Sequence, residues 1–313
     1  MEDAASSYKG SRSQWRVLVE IRGIHFGLTL LYSYLLPLFS VEETSSGFIF
    51  RKIAGADRGL ECVFRESTLE TKCTAPSGVS VSPTLLGLSK RELFQEVCRR
   101  AGLEECIARH ITLIYEPRDK ELVLYSVFLS RSTDYYVNTV KWVRELVVRG
   151  FVESSSYLTV EFNRVRRSLR GVLERGLYPL SEATELLSIS GIGVKSAKAY
   201  LLHAYGLASH APVDRHYASV LGVKYTQPSK KLCVKFKLDC YNCPRSCVYG
   251  YTTRLLGSLN GVVQSLSYIY GRLKSKRRSS IEETLVPDPS RHLDEVERIL
   301  SRVVPRAEQE TST

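Results

Sequence analysis

An α+β architecture, mostly helical with a small antiparallel sheet near the N-terminus, is the fold class that the sequence predicts. Two observations carry it. Before residue 83, short β-branched or aromatic runs ("WRVLVE", "GFIFRK", "LECVFR", "LETKCT") are divided by Gly, Asp and Ser. Beyond that point apolar residues recur at helical spacing. The 313 residues leave room for two moderate cores.

Residues 1–14 read as an extension and 15–83 as the sheet domain, which the Ser/Pro/Gly stretch from Pro76 to Pro83 closes. A helical domain is expected over 84–274. Ser89 and Glu92 have capping-box spacing, with Leu88 and Leu93 placed as a hydrophobic staple. Helices are then expected over 120–130, 135–148, 158–175, 181–188, 195–205, 214–222 and 251–272. The segment 230–248 is too dense in Cys, Lys and Pro for a regular element. Residues 275–313 read as a polar, mobile tail, in which Leu293, Val296, Leu300 and Val303 align as one amphipathic stretch over 291–304.

Composition bounds the partners. A formal charge of +11 and a pI near 9.2 favour polyanions, chiefly nucleic acid or an acidic membrane face. The most apolar run, Ile24 to Phe39, is broken by His25 and Pro37 and is too short to span a bilayer, so it reads as core. No secretory signal is visible in "MEDAASSYKG", and a cytoplasmic monomer is expected, nucleoid-associated if prokaryotic. Of eight cysteines, Cys233, Cys240, Cys243 and Cys247 cluster as C-x6-C-x2-C-x3-C, a pattern that suits one metal centre. Cys62, Cys73, Cys98 and Cys106 are scattered and read as small hydrophobes.

The candidate chemistry centres on Lys195 in "GIGVKSAKAY" and Asp214 in "HAPVDRHY". A desolvated, partly neutral lysine amine can displace a base from a sugar C1' and form an imine, while a carboxylate steadies the charge developing on the ring. The glycines Gly191 and Gly193 permit a tight turn, and the amides from Val194 onward open a helix towards an anion. Gln264 carries both donor and acceptor, and Tyr268 follows four residues later on the same helical face.

The hairpin, lysine and "PVD" resemble the helix-hairpin-helix DNA glycosylase superfamily. In its bifunctional members a lysine and an aspartate occupy the positions of Lys195 and Asp214, which implies base excision followed by strand cleavage at the abasic site. The nineteen-residue spacing and "PVDRH" are closest to the 8-oxoguanine glycosylase branch, with endonuclease III-like excision of oxidised pyrimidines and a non-catalytic DNA-binding module as alternatives. "LYSVFLSRSTDYYVNTVKWVRELV" resembles the helix and turn near the extruded base.

By this resemblance Gln264 reads the damaged base, Tyr268 stacks on it, Gly47 in "SSGFIFR" accepts its N7 hydrogen, and Ala199 lies where a small helix residue contacts it. His216, with Arg215 beside it, matches the phosphate-contacting histidine, and Arg131 or Ser132 falls where a side chain fills the gap left by the base. The cysteine cluster resembles the 4Fe-4S motif of endonuclease III, placed here as an insertion, with one structural zinc as the alternative and with Lys235 and Lys237 within reach of phosphate. The implied partner is double-stranded DNA carrying a damaged base.

Overall fold

A computed structural model describes residues 16–76, 79–223 and 226–304; the expected extension over 1–14 and the end of the expected tail lie outside the described residues. Five strands form one antiparallel sheet in the order β1-β5-β4-β3-β2: β1 (Arg16–Arg22), β2 (Phe39–Thr44), β3 (Gly47–Lys52), β4 (Glu61–Arg65) and β5 (Glu70–Ala75). Between β1 and β2 the apolar run folds into α1 (Phe26–Leu31), buried along its whole length, and a short 3-10 turn. Alternation in β3 puts Phe48 and Phe50 on the inner face, where Phe50 stacks on Phe26 of α1 at 5.1 Å.

The helical part runs through α2 (Arg91–Arg100), α3 (Lys120–Leu129), α4 (Val140–Arg149), α5 (Tyr157–Leu173) and α6 (Pro179–Leu186). It continues with α7 (Val194–Tyr205), α8 (Arg215–Leu221), α9 (Lys230–Lys235), α10 (Val248–Leu256), α11 (Asn260–Leu273), α12 (Ser280–Leu285) and α13 (Ser290–Val303). A π-helical turn, Tyr135–Thr139, precedes α4, with Asp134 accepting from the Tyr136 and Val137 amides at its start. Among the described residues no helix is long and apolar enough to cross a membrane.

Several expectations are corrected. The scattered cysteines are paired: Cys62 with Cys73 and Cys98 with Cys106. Strand register explains the first pair, because Cys62 on β4 lies directly opposite Cys73 on β5. The Ser89 capping box does not form. Its helix starts two residues later, Ser89 Oγ lies 3.3 Å from Tyr115 Oη, and Leu88 is exposed rather than stapled. The helix expected over 251–272 is two helices, α10 and α11, parted by a 3-10 turn at Gly257–Leu259. The cysteine segment does contain a regular element, α9, capped by Ser229.

The tail expected to be loose is packed as far as residue 304. Ser279 and Glu282 form a capping box at α12, Leu285 and Val286 are buried, and Arg272 of α11 pairs with the buried Glu282 at 2.6 Å. Helix α12 packs on α1, β2 and β3, and α13 packs on α2 and α11, so the C-terminal segment joins sheet to helices.

A second link between sheet and helices is ionic. Lys52 at the end of β3 donates to Asp119 at 2.5 Å and to the carbonyls of Ala54 and Ala56, with both side chains removed from water. Removing one partner strands the other charge in the interior. Lys52→Met should therefore lower the unfolding free energy, read from urea denaturation, by about 3–5 kcal/mol. The double variant Lys52→Met/Asp119→Leu should lose less.

Candidate active site

The hairpin between α6 and α7 depends on Gly191, whose φ of +81° is unfavourable for side-chain-bearing residues. A Cβ there would lie 2.5 Å from Arg131 Nη1 and 2.9 Å from the Phe128 ring. The Gly191 carbonyl accepts from Arg131 Nη1 at 2.6 Å, and the same guanidinium pairs with Glu161 at 2.6 Å and lies over Phe128. Arg131 is thus fixed beneath the hairpin, which removes it as the side chain expected to fill a gap in DNA. Ser132, by contrast, is exposed on the cavity rim with a φ of +52°. Gly193 is the N-cap of α7 and is exposed, Val194 is buried as the first helical residue, and nothing crowds the outer side of Gly193. The first amides of α7 have no intrahelical partners, which makes this turn suited to an anion.

Lys195 occupies the second position of α7, and Asp214 is the N-cap of α8. Both line one cavity of about 670 Å³. Asp214 Oδ1 accepts from the Tyr217 amide at 2.8 Å, and Oδ2 accepts from Gln264 Nε2 at 3.2 Å, so the cap fixes the carboxylate and an amide from α11 orients it. Lys195 is exposed, contrary to the expected desolvated amine, because the cavity is open on its side.

Arg215, His216, Gln264 and Tyr268 border the same cavity. The His216 ring meets Tyr268 edge-on, with centroids 5.9 Å apart. Burial lowers the His216 pKa, and Asp214 opposes that shift. Tyr268 is raised, chiefly by burial, and stays a neutral phenol.

Two expected site residues lie elsewhere. Gly47 is not part of the cavity wall. It follows the β2–β3 turn with φ +153°, where a Cβ would come within 2.2 Å of the Phe64 carbonyl oxygen, so close strand pairing accounts for this glycine. Ala199 is buried inside α7 and does not reach the cavity.

The wall also holds residues the sequence reading passed over, among them Tyr32, Tyr34, Tyr135, His203 and Arg272. Their signals were present. His203 follows Lys195 by eight residues, roughly two helical turns along the same face, and Tyr34 sits in the run read as plain core. Tyr34 meets His203 edge-on at 5.0 Å and Tyr135 at 5.5 Å, which gives the cavity an aromatic flank.

The four clustered cysteines lie away from the cavity, Cys233 on α9, Cys240 and Cys243 in the following loop and Cys247 at the start of α10. Burial first, then the Cys240 and Cys247 thiols, push Cys233 up to about 11. Among the described residues, no three of these sulfurs lie within 4.8 Å of one another. Zinc–sulfur bonds of about 2.3 Å in a tetrahedron put ligand sulfurs roughly 3.8 Å apart. A cubane, which places one thiolate on each of four irons, holds them farther apart. Lys235 and Lys237 are both exposed beside them.

Comparison with known proteins bears on the fold. No family model matches the chain, and no curated protein does. Among solved structures it is similar to an 8-oxoguanine glycosylase/lyase from Clostridium acetobutylicum in complex with double-stranded DNA containing cytosine opposite 8-oxoguanine. The identity is 11%, the TM-score 0.52, and the match covers 83% of this chain and 98% of that one. It is likewise similar to MBOgg1 in complex with a low-affinity DNA ligand, at 14% identity and a TM-score of 0.53, covering 83% and 98% of the two chains. The likeness is one of fold, an α+β arrangement of helices with, among the described residues, one five-stranded antiparallel sheet.

His203 sets a pH dependence. Burial pushes its pKa down to about 3, and its Nδ1 is buried without a partner. The unfolded chain binds this proton below about pH 6.5 whereas the folded chain does not, so stability falls as pH drops through that value and the loss ends near the folded pKa. His203→Phe should flatten the loss of stability between pH 7 and pH 5 by about 2 kcal/mol, measured as denaturant unfolding at each pH.

Proposed function

We propose that the protein is a DNA glycosylase with abasic-site lyase activity, acting on an oxidised base, with 8-oxoguanine the preferred lesion. The observation that carries this reading is the placement of Lys195 and a capped, amide-bound Asp214 on the wall of one cavity with Gln264 and Tyr268.

The cycle starts with the surplus of basic residues holding phosphates, the hairpin amides at Gly193 and Val194 taking one phosphate and His216 and Arg215 another. The damaged nucleotide leaves the stack, and Ser132 at the rim is placed to enter the gap. Tyr268 offers a stacking face. Gln264 uses its Nε2 on Asp214, which leaves its carbonyl oxygen to accept a hydrogen from the base edge.

Duplex DNA over the open cavity excludes water from around Lys195. The amine, as the free base, attacks C1', the bond from C1' to the base nitrogen breaks, and the base departs with the bonding electrons and takes a proton. The ionised Asp214 carboxylate stabilises positive charge on the sugar ring. The attached amine then loses a proton as the ring opens, O4' is protonated, and an imine links Lys195 to C1'. Loss of a proton from C2' expels the 3' phosphate by β-elimination and nicks the strand.

We read the four clustered thiols as ligands of a 4Fe-4S cluster, with one structural zinc as the alternative. Such a cluster would be held by Cys233, Cys240, Cys243 and Cys247 and would brace the loop that presents Lys235 and Lys237 to phosphate, while all steps at the sugar belong to the cavity. Purified protein should be brown with four irons per chain. A colourless protein holding a zinc that is lost on substituting the cysteines would favour the tetrahedral site.

Lys195→Gln should abolish the covalent adduct trapped by borohydride on lesion-bearing duplex while DNA binding persists. An undiminished adduct would remove this amine from the mechanism. Gln264→Ala should reduce excision of 8-oxoguanine by on the order of tenfold more than it reduces nicking at a preformed abasic site, since one unmet base contact is worth about 1–3 kcal/mol. Equal losses, or faster release of oxidised pyrimidines by the unmodified protein, would reassign the base.

A further inference from the structure

Between the sheet, α1 and α13 lies a second cavity, of about 250 Å³, that shares no lining residue with the first. Its wall includes His25 at the N-cap of α1, Glu66 in the turn between β4 and β5, and His292 in α13. One ligand-type atom from each of these three lies within 4.8 Å of the other two. The two histidines are 1% and 5% exposed, and the Nε2 atoms of both are buried without a hydrogen-bond partner. Two imidazole nitrogens left unpaired in one dry place are costly unless something binds them. The rings meet edge-on, with centroids 5.0 Å apart. Glu66 has only a long contact with Arg291, at 3.9 Å, so its carboxylate is free to turn inward.

We propose that His25, Glu66 and His292 form a structural site for a borderline divalent cation of the zinc class, separate from the four clustered thiols. Two imidazoles and one carboxylate are the ligand set such an ion prefers, whereas magnesium and calcium call for oxygen ligands throughout. Water completes the coordination. In the free protein the Leu28 amide donates to His25 Nδ1 at 3.2 Å, which places the ring proton on Nε2. On metal binding the Nε2 proton is lost to solvent, Nδ1 takes one up, and the bond from Leu28 is given up; the ring stays neutral throughout.

The three residues come from the start, the early hairpin and the end of the described chain. An ion shared among them ties α13 to the sheet and closes a loop from residue 25 to residue 292, so its binding free energy becomes folding free energy. This site stands independently of the proposed enzymatic activity.

Full-length protein titrated with zinc should show a raised melting temperature and hold one equivalent that Cys243→Ala/Cys247→Ser retains. In the same double variant cobalt should give weak visible bands without the intense near-ultraviolet absorption of thiolate ligation. His292→Ala should bind that equivalent at least tenfold more weakly. Glu66→Gln, at a partly exposed turn that tolerates an amide, reads the same loss should His292→Ala fold poorly. Unchanged zinc content and an unchanged thermal gain in Glu66→Gln and in folded His292→Ala would overturn the proposal. So would zinc uptake that vanishes with the cysteines.

Discussion

The buried carboxylate of Glu182 is the fixed point of the helical domain. From α6 it accepts from Lys120 at 2.6 Å, from Tyr200 at 2.5 Å and from Tyr205 at 2.6 Å, the last two on α7. A fully buried carboxylate with three charge-assisted or phenolic donors is tolerated only while all of them are in place. The network therefore sets both the spacing of the hairpin legs and the orientation of α7. Lys195 lies in the first turn of that helix, so its direction into the cavity is inherited from a group one helix away. Arg131 does the equivalent work from below, where it holds the Gly191 carbonyl and Glu161 together.

Asp214 shows how structural and chemical demands share one group. Its position before α8 requires an oxygen acceptor for the Tyr217 amide, and asparagine would satisfy that as well as aspartate. Charge is the additional property. The Gln264 amide holds the second carboxylate oxygen, and α11, which supplies Gln264, is itself held by α12 through Arg272 and Glu282. Arg272 borders the cavity and lies over the Tyr136 ring, so the wall, drawn from the segment after α1, the turn after α3, and helices α7, α8 and α11, is braced partly by residues behind it.

Much of this was legible in the sequence where local rules act. Gly191, Gly193, Lys195 and Asp214 are separated by a single short helix, so their meeting needs little from the rest of the chain. Gln264 and Tyr268 were legible too, since a four-residue interval on a helix keeps both on one face. What failed depended on strand register or distant packing. Gly47 looks like a ligand-facing glycine in a one-dimensional reading, but its requirement comes from Phe64 on the neighbouring strand. Cys62 and Cys73 look unrelated until register sets them opposite each other. The polar composition of residues 275–304 hid the few apolar residues, Leu285, Val286, Val296 and Ile299, that bury this segment.

That C-terminal segment carries a consequence for the order of assembly. Helix α12 covers α1 and strands β2 and β3, α13 lies on α2 with Glu295 accepting from the Ile107 amide, and neither contact is available until long after the sheet has been made. On a ribosome strands β2 and β3 would wait for a clasp that is synthesised long after them. Contacts of such long sequence separation slow folding, and they delay completion of the wall containing Arg272 to the final step. A nascent chain of this protein can hold its hairpin early, yet its cavity is finished only after α12 and α13 have been made.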